Sequence, residues 1–240
     1  MSIRIASLAA VGLLAAGCHV GADAEDRDPG SEVTRSYQVG AFDRLEVAGP
    51  YEVNVVTGGQ GAVTAKGGEN LLAETEVIVE GNVLKIQPKK KKGIRWNWRN
   101  GKAVFTVNAA ALHGAAIAGS GGVTVDKVAG DFKGEVAGSG DLKVGQIAGG
   151  RVKFDIAGSG GVEAAGKADT VDISIAGSGD IKLGGLASRT ADVSIAGSGN
   201  VRASASESAN VSIMGSGDVE ISGGAKCKVS KAGSGDVRCG

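Results

Sequence analysis

Apolar and polar residues alternate with period two along most of the chain from Tyr37 onward, and no stretch shows a convincing helical period. Alternation of this kind predicts short strands with one face turned to a core. Leu45-Glu46-Val47, Tyr51-Glu52-Val53-Asn54-Val55, Val63-Thr64-Ala65, Val77-Ile78-Val79 and Val83-Leu84-Lys85-Ile86 read as strands, with turns at Gly58-Gly59, Gly67-Gly68 and Gly81-Asn82. Only residues 70–75 offer a helical turn.

Further along, the alternation is punctuated by Gly-Ser-Gly, centred on Ser120, Ser139, Ser159, Ser178, Ser198, Ser216 and Ser234 at intervals of 18 to 20 residues. A unit this short cannot enclose a core of its own, so neighbouring copies must stack. Counting in twos back from Gly177 gives Ile175, Ile173 and Val171, and forward from Gly179 gives Ile181 and Leu183; the units around Gly158, Gly197 and Gly215 repeat this order. Each unit is therefore two short strands facing each other across an apolar interior, with Gly-Ser-Gly as a sharp bend beside the coils above and below. Side-by-side hairpins and stacked arches both satisfy the pattern. Gln146-Ile147-Ala148-Gly149 and Gly184-Gly185-Leu186-Ala187 each add one apolar position, enough for a short third side, and this favours the arches. The expected fold is all-β: a parallel β-solenoid (β-helix) of about 18–20 residues per coil over residues 109–240, with an irregular β-rich part over residues 35–108.

Composition agrees, with 42 glycines in 240 residues and only 3% aromatic residues, as a core of small β-branched side chains in tight coils requires. At the start of the chain, Arg4 precedes an apolar run over residues 5–16 that is too short for a permanent membrane span. The run ends in Leu14-Ala15-Ala16-Gly17-Cys18, which resembles the lipobox of bacterial lipoproteins, although Ala15 stands where Leu is usual. That resemblance implies a signal peptide over residues 1–17, a lipid on Cys18, the membrane as a partner, and an exported outer-membrane lipoprotein of the cell envelope on its periplasmic or surface face. The alternative is ordinary secretion with cleavage near Ala22-Asp23-Ala24. Residues 18–34, with Asp23, Glu25, Asp26, Asp28, Pro29 and Gly30, read as a flexible tether. Without Arg4 the chain has 25 basic against 26 acidic residues, a balance that gives no global attraction to nucleic acid.

Two further stretches carry a family resemblance: Phe42-Asp43-Arg44-Leu45-Glu46-Val47 with Gly49-Pro50-Tyr51-Glu52-Val53-Asn54-Val55, and the Ala-Gly-Ser-Gly-Asp unit at residues 137–141 and 176–180. From about Arg35 onward the chain resembles the bacterial family called putative auto-transporter adhesin, head GIN domain. The resemblance implies a β-helical envelope protein with an adhesin-like or scaffold role and no assigned reaction.

Candidate chemistry is sparse. The residues after the bends form a column of Gly122, Asp141, Gly161, Asp180, Asn200, Asp218 and Asp236, in which carboxylates either cap turns or bind calcium. Glycine and asparagine interrupt the column and the nine-residue unit of calcium-binding β-rolls is missing, so turn capping is expected and no metal or other cofactor. The two histidines are His19, beside the anchor, and His113, which the count places in the inward column as a solvated cap of the first coil. Serines that recur with the coil are structural positions, so no catalytic residue and no enzyme activity is expected; a polysaccharide-cleaving β-helix would need acidic residues gathered in a groove. The densest feature is Lys89, Lys90, Lys91, Lys92, Arg95, Trp96, Trp98, Arg99 and Lys102, in a stretch without an acidic residue between Glu80 and Asp126. It reads either as a solvated loop or as a contact for anionic glycan or anionic lipid. Cys227 and Cys239 lie six residues on either side of Gly233, facing inward on opposed strands, a register that suits a disulfide closing the last coil in an oxidising compartment.

Overall fold

The computed structural model describes residues 25–89, 96–98 and 101–240, and for residues 25–27 and 96–98 it describes the backbone alone. The expected signal peptide, His19 and Cys18 lie outside the described residues. In chain order the first part contains β1 (Glu25–Arg27), β2 (Glu32–Gln38), β3 (Arg44–Ala48), β4 (Glu52–Thr57), β5 (Ala62–Gly68), α1 (Glu69–Ala73), β6 (Thr75–Glu80), β7 (Val83–Pro88), β8 (Trp96–Trp98) and β9 (Ala103–Ala109). The repeat region contains β10 (Gly114–Gly119), β11 (Gly122–Ala129), β12 (Phe132–Gly138), β13 (Asp141–Ala148), β14 (Arg151–Gly158), β15 (Gly161–Lys167), β16 (Thr170–Gly177), β17 (Asp180–Gly197), β18 (Asn200–Gly215), β19 (Val219–Ser222), β20 (Lys226–Gly233) and β21 (Val237–Cys239).

The repeats form a parallel β-solenoid. Each coil sends one strand up a first wall, bends at Gly-Ser-Gly, and returns along a second wall. On the first wall β10, β12, β14, β16, the end of β17, the end of β18 and β20 pair in parallel, one coil apart. On the second wall β11, β13, β15, the starts of β17 and β18, β19 and β21 do the same. Ile147 and Leu186 are buried beyond the second wall, where β13 and β17 run on into the short third side. Parallel pairing of every unit with the next removes the hairpin alternative.

The inward positions counted from the bends are buried. Ile175 packs between Ile156 and Ile195 in exact coil-to-coil register, and the three are 1–2% exposed. Gly177 shows why the bend requires glycine: its φ is +131°, and a Cβ there would lie 2.3 Å from the Gly158 carbonyl oxygen of the coil below. Gly134 serves packing instead, since it stands on the inward face where the Phe154 ring of the next coil fills the space of its missing side chain.

The first part of the chain departs from sequence order. β3 and β4 form a coil that pairs with β10 and β11 on one side and with β7 and β9 on the other, so a later segment is stacked outside an earlier one. Antiparallel β2, β5 and β6 then cover this end. Leu71 and Leu72 of α1 are buried there, and Tyr51, whose ring meets Phe105 edge-on, places its hydroxyl 3.1 Å from Thr75 Oγ1. Burial pushes the Tyr51 hydroxyl pKa up.

Two expectations are corrected here. The tether over residues 18–34 is shorter than its polarity suggests, because β1 and the start of β2 are strands. Between them, Asp28 Oδ1 accepts the Gly30 N–H, and the Pro29 and Ser31 carbonyls accept the N–H groups of Asn70 and Glu69 at the start of α1. His113 does not stand in the inward column: it is exposed, Gly114 and Ala115 are buried in succession, and this shifts the count by one. Its Nδ1 lies 3.3 Å from the Asp131 carbonyl oxygen.

At the far end, Cys227 and Cys239 are joined by a disulfide with 6.5 Å between their Cα atoms. Peptide mapping of the unreduced protein by mass spectrometry should recover these two cysteines as one linked pair. Replacing both by serine should cost about 3 kcal/mol by the loop-closure argument. Two alkylatable thiols at these positions in the unreduced protein would show that the last coil is not closed this way.

Candidate functional site

The basic, tryptophan-containing segment is the strongest candidate from the sequence. Lys90, Lys91, Lys92, Arg95 and Arg99 lie outside the described residues. Lys89 is fastened to the end of α1: its backbone N–H donates to the Glu74 carbonyl at 2.8 Å and its Nζ to the Ala73 carbonyl at 2.6 Å. Lys102 is exposed at the entry to β9. Between them, β8 pairs in parallel with β1, matching Glu25 to Trp96, Asp26 to Asn97 and Arg27 to Trp98. Seven positions separate Cys18 from Glu25, a span of at most about 25 Å for any chain. The strand that holds both tryptophans is thus paired with residues 25–27, which begin seven positions after Cys18.

The outward faces of the walls carry a second set of polar features; the column after the bends was visible in the sequence, whereas the cross-coil partners of its side chains were not. The column after the bends stacks in register, Asp141 to Gly161 to Asp180 to Asn200. Its side chains do not cap their own turns as expected; they bond to the next coil. Asp180 Oδ1 accepts from the Asn200 N–H and Nδ2, Asn200 Oδ1 from the Asp218 N–H, and Asp218 Oδ1 from the Asp236 N–H, at 2.8–3.2 Å. No group of three metal-ligating side chains is assembled among the described residues.

Beside this column run cross-coil ion pairs, Lys143 with Glu163 at 3.1 Å and Arg202 with Glu220 at 3.4 Å. A shallow groove of about 370 Å³ lies beside the Arg202–Glu220 pair, lined in part by Asp180, Lys182, Arg202, Asp218 and Glu220. Arg189 and Glu207 form a two-contact pair across the third side, at 2.8 and 3.3 Å. The Arg189 guanidinium holds the Glu207 carboxyl below its usual range. Pairing charges 18 to 20 residues apart was the available signal, since that is the coil length. These cross-coil contacts fix the register of the coils.

The putative auto-transporter adhesin, head GIN domain model matches residues 41–225, which is most of the chain. The chain belongs to this family. Its solved relatives share the fold. A putative adhesin from Bacteroides fragilis superposes with a TM-score of 0.78 at 22% identity, over 89% of this chain and 99% of that one. A putative lipid binding protein from Parabacteroides distasonis gives 0.72 at 25% identity, over 90% and 100%. A putative adhesin from Parabacteroides merdae gives 0.66 at 20% identity, again over 90% and 100%. No curated protein matches the chain. The family name speaks of adhesion and names no reaction. No helix among the described residues is long and apolar enough to cross a membrane.

Proposed function

We propose that this head GIN domain protein is a non-catalytic lipoprotein of the cell envelope, anchored through Cys18, that acts as an adhesin-like scaffold and rests its basic tryptophan segment on the anionic lipid surface around its anchor. The observation that carries this reading is the pairing of β1 with β8, which keeps Trp96–Trp98 close to the residues following Cys18. Basic residues held beside a lipid anchor add electrostatic attraction to an anionic membrane surface. Indole rings settle at the headgroup level, which gives the two tryptophans a role that a solvated loop would not require. The name of the Parabacteroides distasonis relative, a putative lipid binding protein, agrees with this reading. The sugar-facing alternative, contact with anionic glycan through the same segment, has the charge in its favour and lacks the link to the anchor.

Cys18→Ser should move the protein from the membrane to the soluble fraction. Changing Lys90, Lys91 and Lys92 to Ser in the unlipidated mature chain, with Lys89 kept because its Nζ holds the end of α1, should reduce sedimentation with anionic vesicles and leave the melting temperature nearly unchanged. Vesicle binding that survives the lysine changes, or loss of binding to an array of acidic glycans in place of vesicles, would overturn the lipid assignment.

A further inference from the structure

Of the three prolines of the chain only Pro29 follows an aspartate, and the Asp28–Pro29 bond lies between Cys18 and β2, which pairs with β5 in the main sheet. Downstream of this bond the chain is fastened to the body. The Pro29 carbonyl accepts the Asn70 and Leu71 N–H groups at 2.9 and 3.3 Å, and the Ser31 carbonyl accepts that of Glu69 at 2.9 Å. Upstream, β1 is joined in register to β8 alone among the described residues. Two hydrogen bonds frame the bond itself: the Asp28 carbonyl oxygen accepts from Asn70 Nδ2 at 3.2 Å, and Asp28 Oδ1 accepts the Gly30 N–H at 2.9 Å. The second closes a ring through Asp28 and Pro29 that folds the carboxylate back along the peptide bond joining them. Gly30 makes this possible, with a φ of +81° and a missing Cβ that would lie 3.1 Å from Asn70 Nδ2. Asp28 is exposed, so water and its protons reach it. The charged side chains of the elements packed here are Glu69 of α1, Arg35 of β2, and Glu32 of β2, which is paired with Lys66 of β5 at 2.9 Å.

We propose that Asp28–Pro29 is a self-cleavage site, at which the Asp28 carboxylate attacks its own backbone carbonyl under the Asn70 amide and separates the solenoid from the segment before it. A side-chain oxygen of Asp28 bonds to the carbonyl carbon and closes a five-membered anhydride as the carbon–nitrogen bond to Pro29 breaks. The electron pair of that bond stays on the prolyl nitrogen, which takes one proton from solvent and leaves as a secondary amine. One water then opens the anhydride, restoring the side-chain carboxyl and giving Asp28 a new α-carboxyl. Asn70 Nδ2 donates to the oxygen on which negative charge develops. The step occurs once per chain and is not turnover. Pro29 keeps its carbonyl bonds to α1, so the body stays folded. Cleavage stands on this geometry alone, whereas release from a membrane rests on the proposed anchor at Cys18.

The test incubates the soluble, unlipidated mature chain for days in buffer at about pH 5, folded and unfolded in urea, and follows its intact mass. The folded chain should yield residues 18–28 and a body beginning at Pro29, at least about tenfold faster than the unfolded chain, because only the fold supplies the Asn70 donor. Asp28→Ala should stay intact, and Asn70→Ala should slow cleavage about tenfold at an unchanged melting temperature. A folded chain cut no faster than the unfolded one overturns the proposal, as does cleavage of Asp28→Ala or a folded Asn70→Ala that cleaves at the wild-type rate. If Asn70→Ala is not recovered folded, Asn70→Asp, which keeps the shape and cannot donate, carries the same test. The anchor is judged separately, by fractionation of Cys18→Ser.

Discussion

Ile175→Asp is expected to lower stability by about 5 kcal/mol, and thermal unfolding monitored by circular dichroism should show a melting temperature about 10–20 °C below the wild type. Ile175 is 1% exposed and stands in register between Ile156 and Ile195, with Gly199 beside its side chain, so a carboxylate there is cut off from water in an apolar column. The neighbouring Ser174→Asp is the control. Ser174 is exposed on the same strand, in register with Asp155 and Ser194, so a charge there adds one solvated repulsion and should cost less than about 1 kcal/mol. Equal melting temperatures for the two variants would contradict the inward assignment of the whole column.

Gly177→Ala should cost about 3–5 kcal/mol for a single added methyl group. Two effects combine: φ of +131° is unfavourable for any residue with a Cβ, and the new atom would meet the Gly158 carbonyl oxygen at 2.3 Å. The obstacle is backbone of the coil below, which cannot rotate away as a side chain does. Gly184→Ala offers the contrast, since no atom lies within 4 Å of a Cβ built there and its φ is not in the left-handed region. Its effect should fall near zero or be slightly stabilising through the unfolded chain. Chemical denaturation of the two variants checks both, and a Gly177→Ala as stable as Gly184→Ala would mean that the bends do not stack as described.

The repeat region was legible in sequence because a solenoid is a linear structure, in which each residue's neighbour lies one coil length away. Ile175, Ile156 and Ile195 could be placed by counting alone. The coil of β3 and β4 was harder, because alternation reports which face a residue takes and not which strand lies beside it. Its bend was nonetheless written in the chain: Val47-Ala48-Gly49-Pro50 stacks on Ile117-Ala118-Gly119-Ser120, with proline in place of the marker serine. His113 misled because one extra buried residue, Gly114, breaks the period without any change in composition. Of the candidate site, the cations and tryptophans were visible as a cluster, while the pairing of β1 with β8 was not. Three-residue strands about 70 positions apart carry no periodic signal to announce each other.

Trp96 and Trp98 are the two tryptophans of the chain, so intrinsic tryptophan emission reports on this segment alone. The most direct test of the membrane-facing reading is to record that emission from the unlipidated mature chain as vesicles are added. The account predicts a blue shift with anionic vesicles that is reversed by salt and is weak with zwitterionic vesicles, as charge draws the segment to the surface and the indoles enter the interface. Emission that stays at its solution wavelength on anionic vesicles at low salt would contradict it and leave residues 89–102 as a solvated loop.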